Sequence, residues 1–310
     1  SFSIPQKTFA ANDETIRVGL IGCGGRGTGA ASQAMKADSN VMLTAMGDMY
    51  PDRLDVSHNA LKKAAEEKIQ VTPDNKFTGF DAYKKVLESG VDLVILATPP
   101  GFRPMHLRAA VDAGKHIFCE KPMATDAPGL RSVIASANDA KAKKLALVAG
   151  FCWRYNFARR ALYDKIHNGD IGDVRSIYAT YYTGPVKPMP ADDKRPAGMS
   201  DLDWQVRNWY NFTWLSGDGL VEQAVHSIDK MLWAKNDEVP AYAVANGGRQ
   251  NRGEEEGNIY DHFGVEFAWA DGTPASRAGI KSKDKIVRIN DESTINMSLN
   301  DAVSRLRGKP

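Results

Sequence analysis

The sequence predicts a doubly wound α/β domain followed by an α+β domain with a mostly antiparallel sheet, and two observations carry that prediction. From Ile16 to Gly150, apolar runs alternate with amphipathic stretches, strand then helix, as a parallel sheet covered on both faces requires. After Gly150 the runs alternate residue by residue and gather aromatics, as antiparallel strands with one covered face do. A length of 310 residues suits about two domains. With 43% hydrophobic and 25% charged residues the composition is that of a globular protein. A formal net charge of +2 gives no reason to expect nucleic acid as the main partner. No apolar stretch is long enough to span a bilayer. Cys23, Cys119 and Cys152, an odd count at scattered spacing, indicate neither a disulfide framework nor a metal site.

Residues 1–15 read as an N-terminal tail. The first residue is Ser1 rather than methionine, so a tag or an export signal is expected to have been removed upstream. Within residues 16–150, IRVGLI, VMLTAMG, VDLVILAT, HIFCE and LALVAG read as strands buried on both faces. The segments PDRLDVSHNALKKAAEEK and FDAYKKVLESG repeat apolar residues every three or four positions and read as helices. Residues 151–272 open with a helix, NFARRALYDKIHNG, and continue into RSIYATYYT, expected to be a long antiparallel strand. A proline-rich ordered loop, VKPMPADDKRPAGMS, leads to the aromatic stretch WQVRNWYNFTW and the helix DGLVEQAVHSIDKMLW. AYAVANGG and NIYDHFGVEFAWADG supply further strands. From Thr273 to Pro310 the chain turns basic, with eight Lys/Arg against four Asp/Glu. There TPASRAGI reads as a helical turn, KSKD as a turn, KIVRIND as a short strand and SLNDAVSRLR as an amphipathic helix. Ser298 and Asp301 stand at near capping-box spacing.

IRVGLIGCGGRG places Gly22, Gly24 and Gly27 in a G-x-G-x-x-G pattern between a strand and a helix. The first glycine permits a tight turn, the second lets the backbone approach a pyrophosphate, and the third lets helix pack on strand. Gly25 and Arg26 lie in the same turn, and the helix N-terminus offers free N–H groups to the phosphates. Asp48 ends the second strand at the distance the dinucleotide fingerprint requires, suits the ribose hydroxyls of NAD and repels the 2′-phosphate of NADP. Arg53 lies nearby and softens that preference. LATPPGFRPMH follows the carboxyl end of a strand, where open α/β sheets bind ligands. Thr98, Pro99 and His106 are therefore candidates for the nicotinamide side, with a surface helix histidine as the other reading of His106. KHIFCEKP ends the next strand on the same edge and carries Glu120 and Lys121 to the same place.

Together IGCGGRG, Asp48, ATPP, GKHIFCEKP and DGLVEQAVH resemble the Gfo/Idh/MocA family of sugar and polyol oxidoreductases, over residues 16–271. The resemblance implies that Lys121 touches substrate and cofactor and that Pro122 follows a strained or cis peptide. Glu222 and His226, four apart, would share one helical face. The resemblance implies His226 as general base towards a substrate hydroxyl and Glu222, where the family often has Asp, as its orienting carboxylate. Moving hydride from an alcohol carbon to NAD requires that the hydroxyl proton leave as the carbonyl forms. A histidine can take it, and a lysine can stabilise charge developing on oxygen. Arg154 and Tyr155, in GFCWRYN, match a cleft-lining position. Trp204, Trp209, Tyr210 and Trp214 suit sugar faces, with Arg207, Asn208 and Asn211 as hydrogen-bonding groups, or else belong to a core or a subunit interface.

RNWYNFTWLSGDG, GGRQ and GNIYDHF resemble the members of that family exported folded through a twin-arginine signal. That implies a periplasmic place of work with the cofactor carried out already bound. Residues 273–310 resemble the second half of a PDZ domain from carboxy-terminal processing proteases, which implies a splice near Asp271 to Thr273, or else an unusual natural ending. The leading expectation is an NAD-dependent, less readily NADP-dependent, sugar or cyclitol dehydrogenase, associating with itself through its second sheet. An NAD-requiring glycoside hydrolase of the same superfamily and a non-catalytic sensor or fusion are the alternatives.

Overall fold

The computed structural model describes residues 14–253, 256–270, 287–289, 292–294, 297, 298 and 305. Its first strand, β1 (Ile16–Ile21), is the IRVGLI run, with Val18, Leu20 and Ile21 almost fully buried. It is followed by α1 (Gly25–Ala37), β2 (Val41–Asp48), α2 (Pro51–Ala64), β3 (Lys76–Thr78) and α3 (Ala82–Glu88). Next come β4 (Leu93–Leu96), α4 (Arg103–Asp112), β5 (His116–Cys119), α5 (Ala127–Ala142) and β6 (Leu147–Ala149). The six strands form one sheet in the order β3-β2-β1-β4-β5-β6, and every pairing in it is parallel. The central strands β1, β2 and β4 bury both faces because helices cover both sides, which is why these runs are continuously apolar rather than alternating. One core gathers Val94, Leu96, Leu107 and Ile117, and the other Leu20, Leu43, Met46 and Ile95.

The order reverses between β1 and β4, so the chain leaves these neighbours in opposite directions and opens a crevice at their carboxyl ends. Ile21 of β1 is level with Leu96 of β4, and Leu96 with Cys119 of β5. The glycine loop, the ATPP loop and the EKP loop therefore emerge side by side.

After Gly150 the chain forms α6 (Phe157–His167), α7 (Asp201–Arg207), α8 (Thr213–Ser216), a π-helical turn at Leu220–Ala224 and α9 (Val225–Ala234). Strands β7 (Tyr242–Gly248) and β8 (His262–Ala268) pair with each other, and the bonds Ala241 N to Ala268 O and Asp261 N to Gly248 O make the pairing antiparallel. RSIYATYYT is not a strand: residues 172–183 carry no regular secondary structure and no ladder partner among the described residues. Tyr178 and Tyr182 stand 88% exposed. The segment is held through Ser227 Oγ donating to Thr180 O and Tyr181 OH donating to Gln223 Oε1. Its alternating pattern suits a strand, but a strand needs a neighbouring edge to accept its backbone groups.

Beyond β8, β9 (Arg288–Ile289) and β10 (Glu292–Ser293) pair antiparallel, so KIVRIND supplies its expected short strand. The expected helical turn in TPASRAGI, the KSKD turn and nearly all of the SLNDAVSRLR helix lie outside the described residues. The chain divides into two compact units, residues 1–237 with 246–264, and residues 238–245 with 265–310. The helices that follow Gly150 thus belong to the same unit as the parallel sheet. Among the described residues no helix is long and apolar enough to cross a membrane.

Candidate active site

A cleft opens at the switch point, lined by Gly22, Gly24, Gly25, Asp48, Tyr50, Arg53, Thr98, Pro99 and His106. Gly22 has φ +100° and lies so close to the ATPP loop that a Cβ would stand 2.6 Å from the Ala97 carbonyl carbon. A Cβ on Gly27 would meet the Gly22 carbonyl oxygen at 1.9 Å, so only glycine lets α1 start this close to β1. A Cβ on Gly24 or Gly25 would meet nothing within 4 Å, which leaves open space where a pyrophosphate needs it. α1 has no capping side chain and no acid in its first turn, so its N–H groups and positive dipole end are left for an anion.

Asp48 Oδ2 accepts from Cys23 N at 2.6 Å and Oδ1 from Tyr50 N at 3.0 Å. Burial pushes this carboxyl above its usual range, and the two N–H groups work against that shift. Each carboxylate oxygen keeps a further lone pair, which suits two ribose hydroxyls. The residues present thus fit a dinucleotide. Thr98 Oγ1 lies 3.0 Å from His106 Nδ1, and His106 is buried rather than on the surface. Burial and then the Arg103 guanidinium lower its pKa to about 3, so the ring is neutral. Arg103, which sequence reasoning passed over, is 1% exposed and donates to Leu96 O at 2.5 Å and Thr98 O at 2.8 Å. It braces the ATPP loop. Its only signal was a cation directly before Pro104 at a helix start.

Arg26 reaches from the glycine loop to Glu120, with Nε 2.6 Å from Oε1. Glu120 is 4% exposed, so this ion pair ties the phosphate-side loop to the EKP loop. The Lys121–Pro122 peptide is cis. Lys121 Nζ donates to the Glu222 main-chain oxygen at 2.5 Å and to Oε1 at 3.1 Å. The other carboxylate oxygen accepts from Gln223 Nε2 at 2.5 Å. Burial raises the pKa of Glu222, opposed by the Lys121 charge and hydrogen bond. His226 stacks on Trp153 with centroids 5.2 Å apart and lies 6.4 Å from the Tyr181 ring. Burial, then Lys121 and Lys230, lower its pKa to about 4, so it is neutral and able to accept a proton.

Glu222 therefore holds Lys121 rather than orienting His226. The reason is the turn it sits in: Leu220–Ala224 is π-helical, so residues four apart no longer overlie as they do on an α-helix. Position 222 turns towards the EKP loop, and His226 is fixed by aromatic stacking instead.

The expected substrate residues separate. Arg154 Nε is 2.8 Å from Asp229 Oδ1, and its Nη2 is 2.6 Å from Asp237 Oδ1. It fastens the turn carrying Trp153 to α9, and so braces the face that His226 stacks on. Tyr155 is 62% exposed. Asn211 is 1% exposed and accepts from Arg252 Nη1 at 3.0 Å, which makes it a buried brace instead of a free contact. Trp204 and Tyr210 are buried, whereas Trp214 donates Nε1 to Gln205 Oε1 at 2.7 Å. Arg207 and Trp209 line the nucleotide cleft together with Lys187, which sequence reasoning missed because it stands in a proline-rich loop.

The model of the Gfo/Idh/MocA oxidoreductase family, NAD-binding Rossmann fold, matches residues 16–148, and that of the PDZ domain matches residues 269–310. The inositol 2-dehydrogenase of Rhizobium meliloti is 30% identical over 226 residues, 72% of this chain and 62% of that protein. The dTDP-3,4-didehydro-2,6-dideoxy-alpha-D-glucose 3-reductase of Actinomadura kijaniata is 30% identical over 180 residues, 58% of this chain and 49% of that protein. The chain thus spans roughly half to three fifths of the length of these curated relatives. Among solved structures, the WlbA dehydrogenase from Bordetella pertussis, in complex with NADH and UDP-GlcNAcA, superposes with a TM-score of 0.61 at 20% identity, covering 83% of this chain and 64% of that one. At that identity the likeness shows the fold. The expected cofactor, NAD, is the one the family description names. Residues 16–148 of this chain thus carry the match to the Gfo/Idh/MocA oxidoreductase family and its NAD-binding Rossmann fold.

Proposed function

We propose that the protein is an NAD-dependent oxidoreductase that moves hydride between a hydroxyl-bearing carbon of a sugar or cyclitol and the nicotinamide. The observation that carries this is Lys121, delivered by β5 to the carboxyl edge of the sheet and paired with Glu222 beside a neutral His226. The glycine loop, Asp48 and the α1 N-terminus would hold NAD, which when bound supplies the hydride acceptor. A lysine ammonium has three donors, and Glu222 takes two of them, which leaves one for the substrate oxygen. That donor stabilises negative charge as the oxygen loses its proton. The imidazole of His226 accepts that proton, and its low pKa keeps it in the receptive form at neutral pH.

The relatives are named for inositol and for a didehydro-dideoxy sugar nucleotide, which supports a cyclitol or sugar ring, oxidised or reduced at a ring carbon, as substrate. Incubating the protein with NAD and a panel of sugars and inositols, while following reduced-nicotinamide absorbance, tests the reading. NADH formation that disappears in Lys121→Ala supports it. Aglycone release without net NADH, or no turnover of any member of the panel, contradicts it.

The motif likeness in RNWYNFTWLSGDG supports work outside the cytoplasm, and fractionation of cells expressing the natural gene tests that. The matches at 16–148 and 269–310 to unrelated families support a fusion near residues 271–273. A natural gene coding continuously across that junction would contradict a splice there and leave the unusual natural ending. Self-association through the second sheet is tested by sedimentation.

A further inference from the structure

The nucleotide cleft is completed by chain from far along the sequence. Lys187, Val206, Arg207 and Trp209 line it together with Asp48, Tyr50 and Arg53. The two groups are fastened together at the start of α2. Arg207, the last residue of α7, donates Nη1 and Nη2 to the two carboxylate oxygens of Asp52 at 3.0 and 2.9 Å. Its guanidinium lies 4.0 Å from the Tyr50 ring centroid. Tyr50 OH donates in turn to the main-chain oxygen of Asp203, inside α7, at 3.0 Å. The Lys187 ammonium sits 4.8 Å from the centre of the Trp209 ring.

We propose that α7 is a clasp over the nucleotide, fastened by Tyr50, Asp52, Asp203 and Arg207, and that opening this clasp sets the rate at which NAD leaves. The inference rests on the NAD reading of the cleft. The fastening stands two to four residues beyond Asp48, the ribose-binding position of the fingerprint, so it secures the adenosine half of the cofactor. A half-exposed ion pair is weak alone. Here the pair is bidentate, stacked on an aromatic ring, and coupled through Tyr50 to a second hydrogen bond in the same helix. The arrangement leaves the hydride-transfer groups untouched, since none of the four residues contacts Lys121, Glu222 or His226 through a described hydrogen bond or ion pair. Release of product cofactor limits many enzymes whose sites close over their ligand, and a clasp of this kind makes cofactor retention a property of the fold.

The test is displacement of NADH from the loaded full-length protein by excess NAD, followed by nicotinamide fluorescence in a stopped-flow instrument. Asp52→Asn and Arg207→Lys are expected to release NADH about tenfold faster, with association changed far less, because each removes the paired geometry but not the cleft. The reversed pair, Asp52→Arg with Arg207→Asp, is expected to return release part of the way to the starting rate. That recovery separates a clasp from general loosening. Release from both single variants within about twofold of the starting rate overturns the clasp while leaving NAD binding intact. A protein that binds no NADH at all overturns the cofactor reading, and the clasp with it.

Discussion

Lys121 and Glu222 face each other with side chains 13% and 10% exposed. Removing one partner of such a pair leaves a charge without compensation. Lys121→Ala should therefore lower kcat by at least about 100-fold and also destabilise the fold by about 3 kcal/mol, read by urea unfolding. The double variant Lys121→Met with Glu222→Leu should recover most of that stability and none of the activity. For His226 the sign runs towards the neutral form: its pKa is lowered to about 4, so the acid limb of kcat/KM should fall near pH 4 rather than at the ordinary 6.5. Lys230→Gln removes one of the charges that depress it and should move that limb upward, checked by a pH–rate profile. His106, lowered to about 3, is protonated more readily unfolded than folded. Its contribution to stability is complete above pH 6.5 and is lost as pH falls towards the folded pKa, by about 3 kcal/mol at pH 4.5. Urea midpoints at the two ends of that window should show the loss, and His106→Gln should reduce it.

The elements of the parallel sheet were legible because each is an unbroken apolar run set by burial on both faces. IRVGLI and VMLTAMG coincide with β1 and β2 to within a residue. β3 was not legible, since KFT is three residues long and only half-buried, and it is recruited by the edge of β2. RSIYATYYT misled for the opposite reason: its alternation is a property of the segment, whereas pairing is a property of a neighbour it lacks among the described residues. In the site, Lys121 and the glycine loop could be read because backbone geometry at a strand end dictates them. Glu222 could not be read correctly, because the π-turn that re-aims it leaves no mark in residue spacing. Lys187 gave no signal, and Arg207 was legible only as a hydrogen-bonding group for a sugar, since their place in the cleft depends on how α7 and a proline-rich loop fold back. The helix start gives its own test. Gly27→Ala would put a methyl group 1.9 Å from the Gly22 oxygen, so the start of α1 must shift. NADH affinity should drop by at least about tenfold, measured by fluorescence titration.

At the scale of the molecule, the lining of the nucleotide cleft lies wholly between Ile21 and Trp209, and Lys121, Glu222 and His226 lie in the same compact unit. The segment matching the PDZ model begins at residue 269 and contributes none of these groups. A chain ending at residue 270 should therefore bind NADH with a dissociation constant unchanged within about threefold, by the same titration. The central claim is that hydride passes directly from a ring carbon to the nicotinamide while Lys121 and His226 handle charge and proton at the oxygen. The most direct measurement is a turnover with NAD and a polyol or sugar deuterated at its hydroxyl-bearing ring carbons, followed by mass spectrometry of the NADH. The account predicts NADH one mass unit heavier, formed more slowly than from the undeuterated substrate. NADH that forms without the label, or label appearing only in water, would contradict it.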